Sequence, residues 1–331
     1  MGDHEKIVEF RTGDTITLGR NIAVRPVHLD HSVPGAYGFI VETPDGALVY
    51  SGDLRFHETA SRLSWDFVKE AVRARPKVLI LEGTRVNSSR RDSEETVFKS
   101  CAEKVKSCSG LVVVGLYPKD LDRLYTFYRI ARENGRKLAI PLKTACVIDA
   151  LKDDPHLSLA RQMWEDKEHF LVHFHRVRSG KFLEVDYPAC MFKEDKARGW
   201  TRPCLLERRV SATEIGQAQN KFLWVLDFYH LTELVEARPN PGSIYIYSMS
   251  ELKEDPIEEL EAEILENWCQ RFNLQKINSH ASGHASREEL REMIETVNPR
   301  YLVPIHTEHP EEFRELFSRV IIPEKGKTIN F

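Results

Sequence analysis

No apolar run in the 331-residue sequence approaches the roughly 18 residues that a membrane-spanning helix needs. The opening residues, Met1-Gly2-Asp3-His4-Glu5-Lys6, lack the apolar core of a signal peptide, so a cytoplasmic location is expected. Cysteine is sparse. Six are scattered at 101, 108, 146, 190, 204 and 269, with no C-x-x-C pair and no histidine pair at zinc-finger spacing. They read as reduced thiols rather than as disulfides or a structural zinc site. A charge surplus is missing too: 47 Lys and Arg stand against 51 Asp and Glu, a net −4. A chain-wide basic field is thereby excluded as the basis of nucleic-acid binding, which would have to come from a local patch. No internal repeat and no low-complexity tract occurs.

What is present is an ordinary globular composition, 41% hydrophobic and 30% charged, at a length that suggests about two domains. Strand patterns cover Ile7–Phe10, Thr15–Leu18, Ile22–His28, Gly38–Glu42 and Ala47–Ser51, the last two as a hairpin around Pro44-Asp45-Gly46. A helix is expected over Ser64–Arg75, stopped by Pro76, and then a short apolar strand, Lys77–Leu81. Beyond the polar stretch Val86–Asp92 the pattern becomes an α/β alternation. It comprises helix Ser93–Ser107, strand Leu111–Gly115, helix Asp120–Asn134 with Gly135 as its cap, and strand Lys137–Pro141. Further strands are expected at Phe222–Phe228 and Ser243–Tyr247. Near the end, Ser286 and Glu289 form an S-x-x-E capping box. Strand Tyr301–Ile305, a helix Pro310–Arg319 and a strand over Lys327–Phe331 complete the chain. The organisation reads as an outer domain, 1–86 with 273–331, interrupted by an inserted one, 87–272.

Four features place His and Asp at strand ends, where a rigid sheet can aim ligands into a cleft. They are His28-Leu29-Asp30-His31, Ser51-Gly52-Asp53-Leu54-Arg55-Phe56-His57, the segment Ser279–Ser286 with His280 and His284, and Pro304-Ile305-His306-Thr307-Glu308. Asp53 follows His31 by 22 residues. Imidazole and carboxylate together suit Zn²⁺ or Mn²⁺. Taken singly, each feature has an ordinary structural reading as a turn Asp, a capped His or an N-cap loop.

Taken in order, these segments resemble the β-CASP branch of the metallo-β-lactamase superfamily, the ribonuclease J-like proteins of RNA metabolism. The resemblance implies an α/β fold: a metallo-β-lactamase αββα sandwich, N-terminally incomplete here, with an inserted β-CASP α/β domain. It also implies phosphodiester hydrolysis at a two-zinc site, with manganese as an alternative metal. "DHSVPGAYGF" would make His31 a metal ligand, and "YSGDLRFH" would make Asp53 the carboxylate that bridges the metals. "LILEGT" would make Glu82 the acidic residue that orients His284. "SGHAS" would make His284 the group that contacts phosphate and acts as general acid. "PIHTE" would make His306 a further ligand, and a His there fits the RNA-processing branch. Phosphate or RNA would meet Ser282, Gly283, Ala285 and Ser286 at a helix start, together with Lys119 and Lys143. The wider basic set would be Arg85, Arg90, Arg91 and the stretch His173–Lys181, with RNA in a groove between the two domains. Tyr245 and Tyr247 read as core residues.

The family signature H-x-H-x-D-H is not found. Its nearest match, Pro26-Val27-His28-Leu29-Asp30-His31, has Pro in place of the first His, and the spacing from His31 to Asp53 fits the third and fourth motifs instead. His173-Phe174-His175 reads as two residues on one face of a strand. His31, Asp53 and His306 are too few for two zinc ions with about four ligands each. Three readings stay open: a truncated product, one part of a split enzyme, or a chain that binds without catalysis. Uncovered apolar sheet faces would disfavour a stable monomer, so a homodimer or a complementary N-terminal chain is an expected partner besides RNA. The alternatives to a ribonuclease are a non-catalytic RNA-binding subunit and a hydrolase of a small phosphodiester.

Overall fold

The computed structural model describes residues 8–57, 60–90, 92–155, 157–176, 203–250 and 255–331. The chain divides into two compact units, 1–93 with 282–331 and 94–281. Sequence patterning places the divisions at 86/87 and 272/273 instead. Asp92 pairs with Arg85, which keeps the polar stretch in the first unit. Residues 275–278 pair with 244–247, which keeps them in the second.

The first unit opens with β1 (Ile16–Leu18), β2 (Ile22–His28), β3 (Tyr37–Thr43) and β4 (Gly46–Tyr50), followed by α1 (Ser61–Ala74) and β5 (Val78–Glu82). The second unit runs α2 (Glu94–Ser107), β6 (Val112–Gly115), α3 (Leu121–Glu133), β7 (Lys137–Pro141), α4 (Leu142–Leu151), α5 (Ser158–Glu165) and β8 (Phe170–His173). It continues with α6 (Pro203–Leu206), β9 (Arg209–Val210), α7 (Ala212–Gln217), β10 (Phe222–Val225), α8 (Leu234–Ala237), β11 (Ile244–Tyr247), α9 (Pro256–Arg271) and β12 (Gln275–Asn278). The first unit then closes with α10 (Arg287–Val297) and β13 (Tyr301–Ile305).

In the first unit the sheet order is β1-β2-β3-β4-β5-β13, with β13 at an edge. The first four strands pair antiparallel; β5 runs parallel to both β4 and β13. One face, with Ile40, Val49, Leu79 and Leu302, packs on Phe67, Val68 and Ala71 of α1 and on Leu290, Met293 and Ile294 of α10. Contact is so close at Gly38 that a Cβ there would lie 2.5 Å from the Phe67 ring. The other face is apolar as well, with Val24, Phe39, Val41, Leu48 and Ile80, yet these side chains are only half-buried. Parallel pairing brings the C-terminal ends of β4, β5 and β13 to one edge of the sheet, and this edge carries the candidate site.

In the second unit the seven strands are all parallel, in the order β12-β11-β6-β10-β7-β8-β9. An apolar core lies on each face, one around Val112, Val114, Phe127 and Ile140, the other around Val113, Trp224, Tyr245 and Leu265. Runs of Val, Ile and Leu without alternation are what a strand buried on both faces requires.

Four local expectations differ from the structure. The expected strand Phe222–Phe228 stops at Val225, and Phe228 opens a 3-10 turn. Val8–Phe10 forms no strand, and Ile7 lies outside the described residues. The expected helix Pro310–Arg319 is a 3-10 turn, Pro310–Glu315, which is enough to drop Phe313 into the core. Lys327–Phe331 forms no strand; these residues are largely exposed, and Phe331 meets the edge strand β13 only through its ring, against Tyr301. No helix among the described residues is long and apolar enough to cross a membrane.

Candidate functional site

Five side chains named from the sequence meet in the first unit. His31 lies beyond the end of β2, Asp53 beyond β4, Glu82 at the last position of β5, His284 before α10, and His306 directly after β13. Asp53, His284 and His306 each offer a ligand atom within 4.8 Å of the others'. His306 Nδ1 lies 2.8 Å from Asp53 Oδ1, and His31 Nε2 lies 3.9 Å from Asp53 Oδ2. The carboxylate thus has an imidazole at each of its two oxygens.

Each of two imidazoles is aimed by a second contact. His31 Nδ1 donates to the Gly283 carbonyl at 2.7 Å, which leaves the lone pair of Nε2 facing Asp53. Burial is the largest influence on His31 and pulls its pKa below the ordinary 6.5, so the neutral, ligand-competent form is favoured near pH 7. His284 Nδ1 donates to Glu82 Oε1 at 3.3 Å. Glu82 is fully buried, and its other oxygen accepts from the Thr84 N–H at 2.9 Å. Its own N–H donates to Ser51 Oγ. His306 has a φ of 47°, in the left-handed region. The other described non-glycine residues with positive φ, namely Arg75, Arg238, Asn273 and Asn298, all follow helices. His306 alone among these follows a strand, and strain of this kind collects at functional sites.

Ser282, Gly283, Ala285 and Ser286 form the loop that leads into α10. Ser286 accepts from the Glu289 N–H and completes the capping box. A Cβ on Gly283 would lie 2.8 Å from Ser32 Oγ and 3.4 Å from the His31 ring, so only glycine fits there without a shift. Arg85 is half-buried and bonds Asp92 and the carbonyls of His284 and Arg90; Arg90 is exposed. Lys119 and Lys143 are exposed residues of the second unit. Arg91 and residues 177–181 of the basic stretch lie outside the described residues.

Other candidates go elsewhere. His28 stacks on Tyr37, and Asp30 pairs with Arg55 at 3.0 Å in the core, so neither belongs to the donor cluster. His280 approaches the buried Arg123 at 3.2 Å. His173 ends β8 and meets Glu233 at 3.3 Å, whereas His175 lies past the strand and packs on His230. Tyr245 is in the core and Tyr247 is half-buried. Cys101, Cys108 and Cys269 are buried thiols without disulfides. Sequence reasoning does not single out Thr84. It ties Glu82 to His306, whose carbonyl accepts from Thr84 Oγ1 at 3.2 Å; its only sequence signal is its place in "LILEGT".

A solved structure described as a protein of unknown function from Enterococcus faecalis V583 is similar in fold. Its TM-score is 0.69 at 21% identity, over 97% of this chain and 67% of that one. A family model described as the Zn-dependent metallo-hydrolase RNA specificity domain matches residues 271–327. Ribonuclease J from Pyrococcus abyssi is 24% identical over 319 residues, 91% of this chain and 62% of its own length. Ribonuclease J from Mycoplasma genitalium is 25% identical over 288 residues, 85% of this chain and 45% of its own length. Ribonuclease J2 from Bacillus subtilis is 24% identical over 316 residues, 91% of this chain and 51% of its own length. The chain is similar to ribonuclease J proteins over 85–91% of its length, and its C-terminal part to the Zn-dependent metallo-hydrolase RNA specificity domain. It spans about half of the length of these relatives.

The matched segment 271–327 contains His284 and His306, two of the three clustered donors. A zinc-dependent family implies a metal cofactor, and the donors suit it. Zinc bonds of about 2.0–2.2 Å set tetrahedral ligand atoms roughly 3.4 Å apart, a spacing that small side-chain rotations here would reach. Asp53, His306 and the nearby His31 make three protein donors, with His284 beside them. That leaves one position open on a single ion and is a partial set for two.

Proposed function

We propose that this chain is a zinc-dependent hydrolase of RNA phosphodiester bonds, with the unit 94–281 as its β-CASP insert. The supporting observation is the cluster of Asp53, His284 and His306, with Glu82 buried behind His284. Zinc bound to this set would supply Lewis-acid polarisation of a phosphoryl oxygen. Asp53 holds the centre between His31 and His306. Glu82 fixes the His284 ring, so that its second nitrogen faces the scissile bond and can carry the proton that goes to the leaving oxygen. The N–H groups of Ser282 and Gly283 would meet a phosphate, since those of His284, Ala285 and Ser286 already donate to Ser282 Oγ, the Leu54 carbonyl and Glu289. Arg85, Arg90, Lys119 and Lys143 provide backbone contacts that are independent of sequence.

Purified chain is expected to contain at least one zinc, to cleave single-stranded RNA, and to lose cleavage on chelation and in His306→Ala. Less than one zinc per chain together with no RNA cleavage would overturn this reading.

A second reading is supported by the three-donor count. Two ions would need more ligands than the described residues offer, so the second ion, zinc or manganese, would draw on residues of a complementary chain or a second copy. The half-buried apolar face of the first sheet is the surface suited to such a partner. If the chain alone binds RNA equally well with and without chelator and never cuts it, it acts as a binding subunit. Turnover of a small phosphodiester without turnover of RNA would redirect the assignment of substrate.

A further inference from the structure

The His284 loop is held through three successive carbonyls. Ser282 O faces His57 Nε2 at 3.0 Å, Gly283 O accepts from His31 Nδ1 at 2.7 Å, and His284 O accepts from Arg85 at 3.5 Å. His31 belongs to the donor set and Arg85 to the basic patch. His57 has no role in either. Its other nitrogen, Nδ1, faces the Glu289 carboxylate at 3.3 and 3.4 Å. Glu289 in turn accepts from the Ser286 N–H at 2.7 Å and from Ser286 Oγ at 2.9 Å, at the first turn of α10. Both ring nitrogens of His57 therefore face acceptors, one on the loop and one on the helix. The ring stands between the two elements that flank His284, and it is largely buried.

We infer that His57, anchored by Glu289, is a positioning residue that fixes the Ser282–Gly283–His284 loop and thereby orients His31 and His284. The coupling is geometric. A shift of the Ser282 carbonyl moves Gly283, whose carbonyl orients His31, and moves the backbone that carries His284. Glu289 stays ionised and so remains an acceptor for His57. Burial would raise its pKa, but hydrogen bonds from His57 and Ser286 outweigh burial and hold it below the usual carboxylate range. Groups that orient metal ligands in this way are worth about 10–100-fold in metal affinity.

The inference rests on the metal centre proposed above, so its test has one arm that needs no metal. In chelator-treated protein, hydrogen exchange is followed in the segment 281–286 and in α10. His57→Ala is expected to speed exchange in the loop while α10 keeps its protection. His57→Gln, whose amide can still donate to the Ser282 carbonyl, is expected to restore slow exchange. In the second arm, zinc affinity is measured by chelator competition, with a loss of about tenfold expected in His57→Ala and recovery of most of it in His57→Gln. Unchanged loop exchange in His57→Ala, or melting of α10 together with the loop, overturns the inference. So does unaltered zinc affinity. Should His57→Ala fail to fold, wild-type exchange and affinity in His57→Gln support the inference, and loss of both in this donor-retaining variant overturns it. A wild type that binds no zinc defeats the metal reading, while the exchange arm still decides the role of His57.

Discussion

At the residue scale, His306 combines a chemical role with a backbone cost. A left-handed conformation costs a non-glycine residue roughly 1–2 kcal/mol, and the C-terminal end of a parallel strand has no helix to terminate. His306→Gly and His306→Ala should both abolish zinc binding, since both remove the imidazole donor. They should differ in stability: glycine is expected to be more stable than alanine by about 1 kcal/mol, read by urea denaturation of metal-free protein. Equal stability would mean that the φ of 47° is not strained in solution. Glu82→Gln tests the partner of His284. The amide retains an acceptor for the Thr84 N–H but turns a donor toward His284 Nδ1, which reverses the ring's tautomer. Cleavage is expected to fall about 10–100-fold with the fold intact, followed by single-turnover kinetics and circular dichroism.

At the element scale, what could be read from the sequence followed the reach of the interactions. The central strands carry unbroken Val, Ile and Leu runs, and α10 carries its own capping box, Ser286 with Glu289, so both were legible. Lys327–Phe331 has a strand-like composition but makes no ladder, and composition cannot reveal that. Pro310 starts a helical turn that ends after a few residues, once Phe313 is buried. The donor residues were legible because each stands at the end of an apolar strand or before a capped helix. His57 was not, because its contact with Ser282 joins positions 225 residues apart. A test at this scale concerns the end of β8 and the turn after β10. His175 and His230 stack at 3.8 Å, with His173, Asp227, Glu233 and Arg176 around them. Burial, then the neighbouring histidines, pulls His175 from 6.5 down to about 4, and burial lowers His230 as well. Between pH 6.5 and about 4 the unfolded chain therefore binds protons that the folded chain refuses. The stability contributed here is complete above pH 6.5 and is lost as pH falls toward 4. The melting temperature of metal-free protein should drop over this window, and His175→Gln should flatten the drop. A wild-type slope unchanged in the variant would exclude this pair as its source.

At the scale of the whole molecule, a net charge of −4 and the proposed action on RNA have to be reconciled. Single-stranded nucleic acid releases counterions in proportion to the phosphates neutralised, with a slope of about −0.7 per contact in log affinity against log salt. If Arg85, Arg90, Lys119 and Lys143 are the groups that meet the backbone, the slope should be about −3. A chain-wide basic field would give a much steeper one, and none exists here. Replacing Arg90 or Lys119 with Gln should make the slope shallower by about 0.7 each and weaken all RNA sequences alike. His306→Ala removes a metal donor, not a backbone cation, and should leave the slope unchanged while cleavage is lost. Binding assays across a salt series on these variants separate the two functions. A slope that is flat in the wild type would place RNA recognition outside these four cations.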